Sequence, residues 1–149
     1  MFLRILVCVL PVILCLTGCD RTAKLTRLKS GVTFEVHSIL ATASANTISM
    51  PAPDTGEEVF LFVNPLVTAA DVVFATATTD EFDLVALNVI VNKAAGATLA
   101  AATATPGSRL GVVVNGKLIF VSPVVTATIS NSFAISGSFN IEDWNAILE

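Results

Sequence analysis

The run Val112-Val113-Val114 enters Asn115-Gly116 and leaves through Lys117-Leu118-Ile119-Phe120-Val121. Asn-Gly between two apolar runs selects a type I′ turn, because both central residues must accept positive φ. A β-hairpin therefore stands at this point, and the rest of the chain has to be arranged around it. Apart from Lys117, both of its faces are apolar. That pattern predicts strands in the middle of a sheet, with helices over at least one face. Pro123 closes the second strand.

The flanking segments supply further elements. Val32-Thr33-Phe34-Glu35-Val36-His37 alternates with period two, predicting a strand with Val32, Phe34 and Val36 on one face and Glu35 and His37 on the other. Residues 43–58, with Pro51, Pro53, Asp54 and Gly56, read as a loop. Residues 59–63 read as a buried strand. Asn64 and Pro65 are suited to start a short helix over Leu66 to Asp71. Val72 to Thr78 and Phe82 to Val91 are rich in β-branched residues and predict two strands joined by a hairpin-length loop. Asn92 can cap an Ala-rich helix from Lys93 to Thr105, which Pro106-Gly107 stops. Phe133 to Phe139 offers a last strand, with Gly137 as a bulge. Asn140 starts a final helix with Asp143 at the capping-box position and Ile141, Trp144, Ile147 and Leu148 on its apolar face. Ala and Thr cluster between Thr68 and Thr105 without a fixed period, which argues against a solenoid. The sum is an α+β domain: a single, mostly antiparallel sheet of six to seven strands with two or three short helices.

Chemistry is constrained by what is missing. All three cysteines, Cys8, Cys15 and Cys19, fall in the first 19 residues. Residues 31–149 therefore have no disulfide, no thiol nucleophile and no Cys/His metal cluster. The one histidine, His37, has no second His or Cys to join and reads as a surface residue. Asp80, Glu81 and Asp83 read as a solvated hairpin end, because they lack the organised oxygens that Ca²⁺ prefers. Gly-x-Ser-x-Gly, the phosphate-binding P-loop and Gly-x-Gly-x-x-Gly are all absent. No catalytic, cofactor-binding or metal-binding residue is assigned, and no small-molecule substrate is identified. Residues 31–149 carry Lys93, Arg109 and Lys117 against eleven carboxylates, a balance that repels nucleic acid.

The front of the chain has a different character. Arg4 precedes an apolar run, Ile5 to Leu16, broken only by Pro11. Twelve residues fall short of the ~20 needed to span a bilayer. The run ends in Leu16-Thr17-Gly18-Cys19, which resembles a bacterial lipobox. The resemblance implies a diacylglycerol on Cys19, cleavage before it, and a membrane-anchored lipoprotein with its domain on the extracytoplasmic, periplasmic side. Arg21, Lys24, Arg27 and Lys29 crowd the next stretch. It reads as a solvated spacer, or as a basic segment drawn to anionic headgroups at about 1 kcal/mol per cation. The expected organisation is a signal peptide over 1–19, a basic tether over 20–30 and a domain over 31–149.

Residues of that domain also resemble the head subdomain of the first periplasmic domain of SecD and SecDF, accessory subunits of bacterial protein export. The resemblance rests on Gly96-Ala97, Thr103, Gly107 and the run Leu110 to Lys117. It continues through Leu118-Ile119, Ser122-Pro123, Ile135-Ser136-Gly137-Ser138-Phe139 and Glu142. The spacing departs from the family by one residue on either side of Pro123. Membrane helices and the ferredoxin-like base subdomain have no counterpart in these residues, so no coupling to proton flow is implied. The resemblance implies a passive head that engages exported polypeptides or Sec translocon subunits. The alternative is a structural envelope lipoprotein that reuses the fold for an unrelated protein–protein contact.

Overall fold

The computed structural model describes residues 25–79, 84–123, 125, 127–137 and 140–149. The elements follow in the order β1 (Phe34–Leu40), β2 (Thr47–Pro51), β3 (Glu58–Phe62), β4 (Val67–Thr68), a 3₁₀ turn (Ala69–Asp71), β5 (Val72–Thr79) and β6 (Val85–Val91). Then come α1 (Lys93–Thr103), β7 (Leu110–Val114), β8 (Lys117–Val121), β9 (Ser132–Ser136) and α2 (Ile141–Ile147). One sheet has the order β2-β3-β1-β7-β8, with β4 also paired to β1. The other has the order β5-β6-β9. Every strand pairing is antiparallel.

The expected α+β architecture is thus present, with its strands divided between two sheets. The division is made where the 3₁₀ turn carries the chain from β4, beside β1, across to β5 in the other layer. Each sheet then gives one apolar face to a shared core. Phe34, Val36, Val112 and Val114 meet Leu87, Val89 and Ile135 there, and the helices close it with Leu99, Trp144 and Ile147.

The larger sheet also buries its second face. Leu61, Val113 and Leu118 form a smaller core, with Ile39, Met50, Val59 and Val121 packed against it. The sheet curls until β2 and β8, its two ends, approach one another. All five residues of β7 are consequently buried, as its apolar sequence requires. Gly111 is part of this crowding: a Cβ there would lie 2.6 Å from Leu61 Cδ2. The expectation of a mid-sheet hairpin holds for β7 only, because β8 is an edge strand. The turn itself is as predicted, with φ of 49° at Asn115 and 76° at Gly116. Asn115 also exchanges bonds with Thr33 just before β1: its N–H donates to the Thr33 carbonyl at 3.0 Å, and its Oδ1 accepts from the Thr33 N–H at 3.1 Å.

Several expectations need correction. Thr47 to Pro51, inside the segment read as a loop, is an edge strand paired along its length with β3. Pro51 is tolerated at its end, and the turn proper lies at residues 52–57, where Ala52 N–H donates to Glu57 O. The helix expected over Leu66 to Asp71 shrinks to the 3₁₀ turn. Leu66 N–H is instead given to Val36 O, and Val67 and Thr68 pair with β1. Gly96 lies within α1 and has a packing role: a Cβ there would come within 3.1 Å of the Asn131 backbone.

The segment read as a tether is bound into the fold from Thr26 onward. Thr26 exchanges backbone bonds with Ala75, and Glu149 N–H donates to Arg27 O. Lys29 N–H reaches Ile147 O at 2.9 Å. Its Nζ donates to Asn145 O and Ala146 O, carbonyls that the end of α2 leaves unpaired. Pairing these backbone groups with partners distant in the chain ends the spacer early.

Candidate functional site

β8 is the most suggestive element. It pairs with β7 on one side, and among the described residues no strand pairs with the other. An exposed strand edge offers a row of donors and acceptors to another chain. Beside the start of β8 lies a groove of about 310 Å³, lined by Val114, Leu118, Ile119 and Trp144, with Lys117 and Asp143 of opposite charge. Its wall from α2 is well fixed. Asp143 Oδ2 accepts from the Asn140 N–H at 3.4 Å at the first turn, and Lys29 holds the last.

A second groove, of about 350 Å³, opens by the far end of β8. Val121, Leu40 and Phe60 line it, together with Arg109 and the carboxylates of Glu57 and Glu58. The edge strand thus runs between an apolar hollow and an acidic one. That arrangement can receive an extended polypeptide by main-chain hydrogen bonds, with hollows for its side chains.

His37 is not on the surface, as its place opposite Phe34 and Val36 had suggested. It is 3% exposed, because the curl of the sheet covers its face. β3 pairs with the end of β1 and β4 with its start, and His37 sits at the junction. Its Nδ1 lies 2.7 Å from Phe62 O. A carbonyl can only accept, so Nδ1 carries the proton. Nε2 is 3.4 Å from Oε2 of the half-exposed Glu35. The ring closes a gap in backbone pairing, which is a structural task that no local motif announces.

Asp71 does similar work where the chain changes sheets. Its Oδ2 accepts from the Thr68 N–H at 2.9 Å and the Thr68 hydroxyl at 2.8 Å, and its Oδ1 from Asn92 Nδ2 at 2.9 Å. The Thr68 backbone bond does most to lower its pKa; partial burial opposes it, and the Thr68 and Asn92 side chains assist. Asn92 in turn caps α1 by accepting from the Ala95 N–H, as its position predicts.

Among the described residues, no group of three or more His, Cys, Asp or Glu could hold a metal ion. No helix among them is long and apolar enough to cross a membrane. Cys19 and the acidic residues Asp80, Glu81 and Asp83 lie outside the described residues.

Two antiparallel sheets and short helices around a common core define the chain as an α+β domain. Residues 43–147 match the family model of the SecDF P1 head subdomain, and the chain belongs to that family. Its fold is similar to that of a SecDF characterised as a membrane component that enhances protein export. The TM-score is 0.55 and the identity 18%, over 79% of this chain and 59% of the other. It is also similar to SecDF crystallised in a super-membrane-facing form, with a TM-score of 0.56 and 17% identity over 75% of this chain and 17% of that one. The chain therefore spans only part of either SecDF. No curated protein matches it.

Proposed function

We propose that this chain is a non-catalytic SecDF-type head, lipid-anchored through Cys19 on the extracytoplasmic side of the membrane, that holds exported polypeptide in an extended form. The observation that carries the reading is the edge of β8, unpaired among the described residues, between two grooves on a fold of the SecDF head family. Main-chain pairing along an edge is indifferent to side-chain sequence, which suits a protein that meets many exported chains. The Glu57 and Glu58 side of the second groove favours basic segments. Sec translocon subunits are the other class of partner that family membership supports.

The test is a photoreactive residue in place of Lys117 in living cells, followed by mass spectrometry of the adducts. Many different exported chains, or translocon subunits, are expected. Adducts to a single unrelated envelope protein would instead favour a structural role for the borrowed fold. The anchor has its own test: Cys19→Ser should abolish lipid labelling and leave the precursor unprocessed.

A further inference from the structure

The smaller sheet turns one face to the shared core and the other outward. Ala75, Leu87, Val89 and Ile135 point inward, so the residues between them point out. The outward residues of β5, β6 and β9 are Phe, Thr, Ala, Asn, Ile and Ser, and none is charged. In a domain with so many carboxylates, a set of outward strand residues without one is conspicuous; at its rim Glu149 lines a hollow with Thr76, and Asp80, Glu81 and Asp83 lie outside the described residues. Its polar groups are partly satisfied among themselves, with Asn88 Nδ2 donating to Thr78 Oγ1 at 3.0 Å. Leu25, 59% exposed, stands over this face and lines a shallow hollow of about 230 Å³ with Phe74 and Ile90.

The chain enters the fold at the same place. Five residues lie between Cys19 and Leu25, so the two are at most about 20 Å apart. Thr26 is pinned to Ala75 immediately afterwards, which leaves little freedom to swing. Arg21, Lys24 and Arg27 accompany the link.

We infer that the outward face of the β5-β6-β9 sheet is a membrane-facing surface, resting on the lipid headgroups with Leu25, Phe74 and Ile90 at the interface. This rests on the lipid-anchor reading of Cys19. Three features select a lipid surface over another occupant: the short link, the basic residues on it, and the uncharged outward residues of the described strands it brings near the bilayer. The larger sheet then lies on the far side of the shared core, with the β8 edge clear of the lipid.

The test uses the full-length lipidated protein in vesicles containing anionic phospholipid. Once the leader is removed and Cys19 acylated, an introduced cysteine is the sole free thiol. A nitroxide is attached at Ile90→Cys, or at Thr55→Cys in the exposed β2–β3 turn. The Ile90 label should lose access to a water-soluble nickel relaxant several-fold on membrane attachment, while the Thr55 label keeps it. Leu25→Glu, at an exposed position, should restore access to the Ile90 label. Equal access at both positions in a lipidated chain overturns the membrane-facing surface and leaves the anchor intact. Shielding of Ile90 in cells but not in vesicles also overturns it, in favour of a protein partner. A chain whose mass shows no lipid on Cys19 overturns the anchor, and this inference with it.

Discussion

β6 and β7 are both central strands, each paired on two sides, yet they are buried in different ways. β7 is covered at every residue. β6 alternates, with Val85, Leu87, Val89 and Val91 buried while Asn88 and Ile90 face outward. The difference lies in what covers the second face. The larger sheet curls around a second core, whereas the smaller one leaves its outer face open among the described residues. Strand position in a sheet and burial of both faces are therefore separate properties, and the apolar run in β7 reported the second.

The comparison can be broken most severely at the shared core. Leu87→Ala should cost about 2–5 kcal/mol, since Leu87 is wholly buried between the sheets. Leu61→Ala in the smaller core should fall toward the low end of that range, because its surroundings near the sheet ends can relax. Urea unfolding of the two variants measures both. Gly111→Val should cost about 1–3 kcal/mol by overpacking against Leu61 and Leu118. A thermal melt would show the loss, and a companion Leu61→Ala should recover part of it.

The crossing between sheets gives the next effect. Asn92→Ala removes the cap of α1 and one bond to Asp71, and should cost about 1 kcal/mol in urea unfolding. Asp71 adds a pH dependence of known sign. Its native pKa lies below the ordinary 3.8, so the folded state favours the carboxylate. Its stabilisation is complete above the ordinary value and is lost as pH falls through the lowered native one. Asp71→Asn should flatten that part of the acid limb in pH-dependent unfolding. The smallest effect belongs to the open face. Ile90→Thr should change the stability of the lipid-free protein by no more than about 0.5 kcal/mol, read by the same denaturation.

Local chemistry made some of this legible in the sequence. Asn115-Gly116, Asn92 and Asn140 each act within a few residues, so turn and caps fall where their types predict. The apolar alternation of Phe34 and Val36 also identified the core face of β1. What escaped depends on partners distant in the chain. Thr47 to Pro51 is a strand because β3 lies beside it, and the neighbouring prolines masked its short alternation. Val67 and Thr68 pair with β1 in preference to beginning a helix, although Asn64-Pro65 is a good local start signal. His37 is buried by the curl of a sheet, which no window of residues contains. The candidate site was half visible: the sequence marked the β7–β8 hairpin, and only the fold showed that β8 is an edge between two grooves.

The binding of residues 26–29 to β5 and to the end of α2 has a mechanical consequence. A pull arriving along the chain at Leu25 meets the Thr26–Ala75 bonds first, and next the bonds of Arg27 and Lys29 to the last residues. These lie at the rim, where Leu28 is only partly buried against the shared core. They form a short seam that can part under load before the force reaches β1, leaving the cores of both sheets as the last structures to yield.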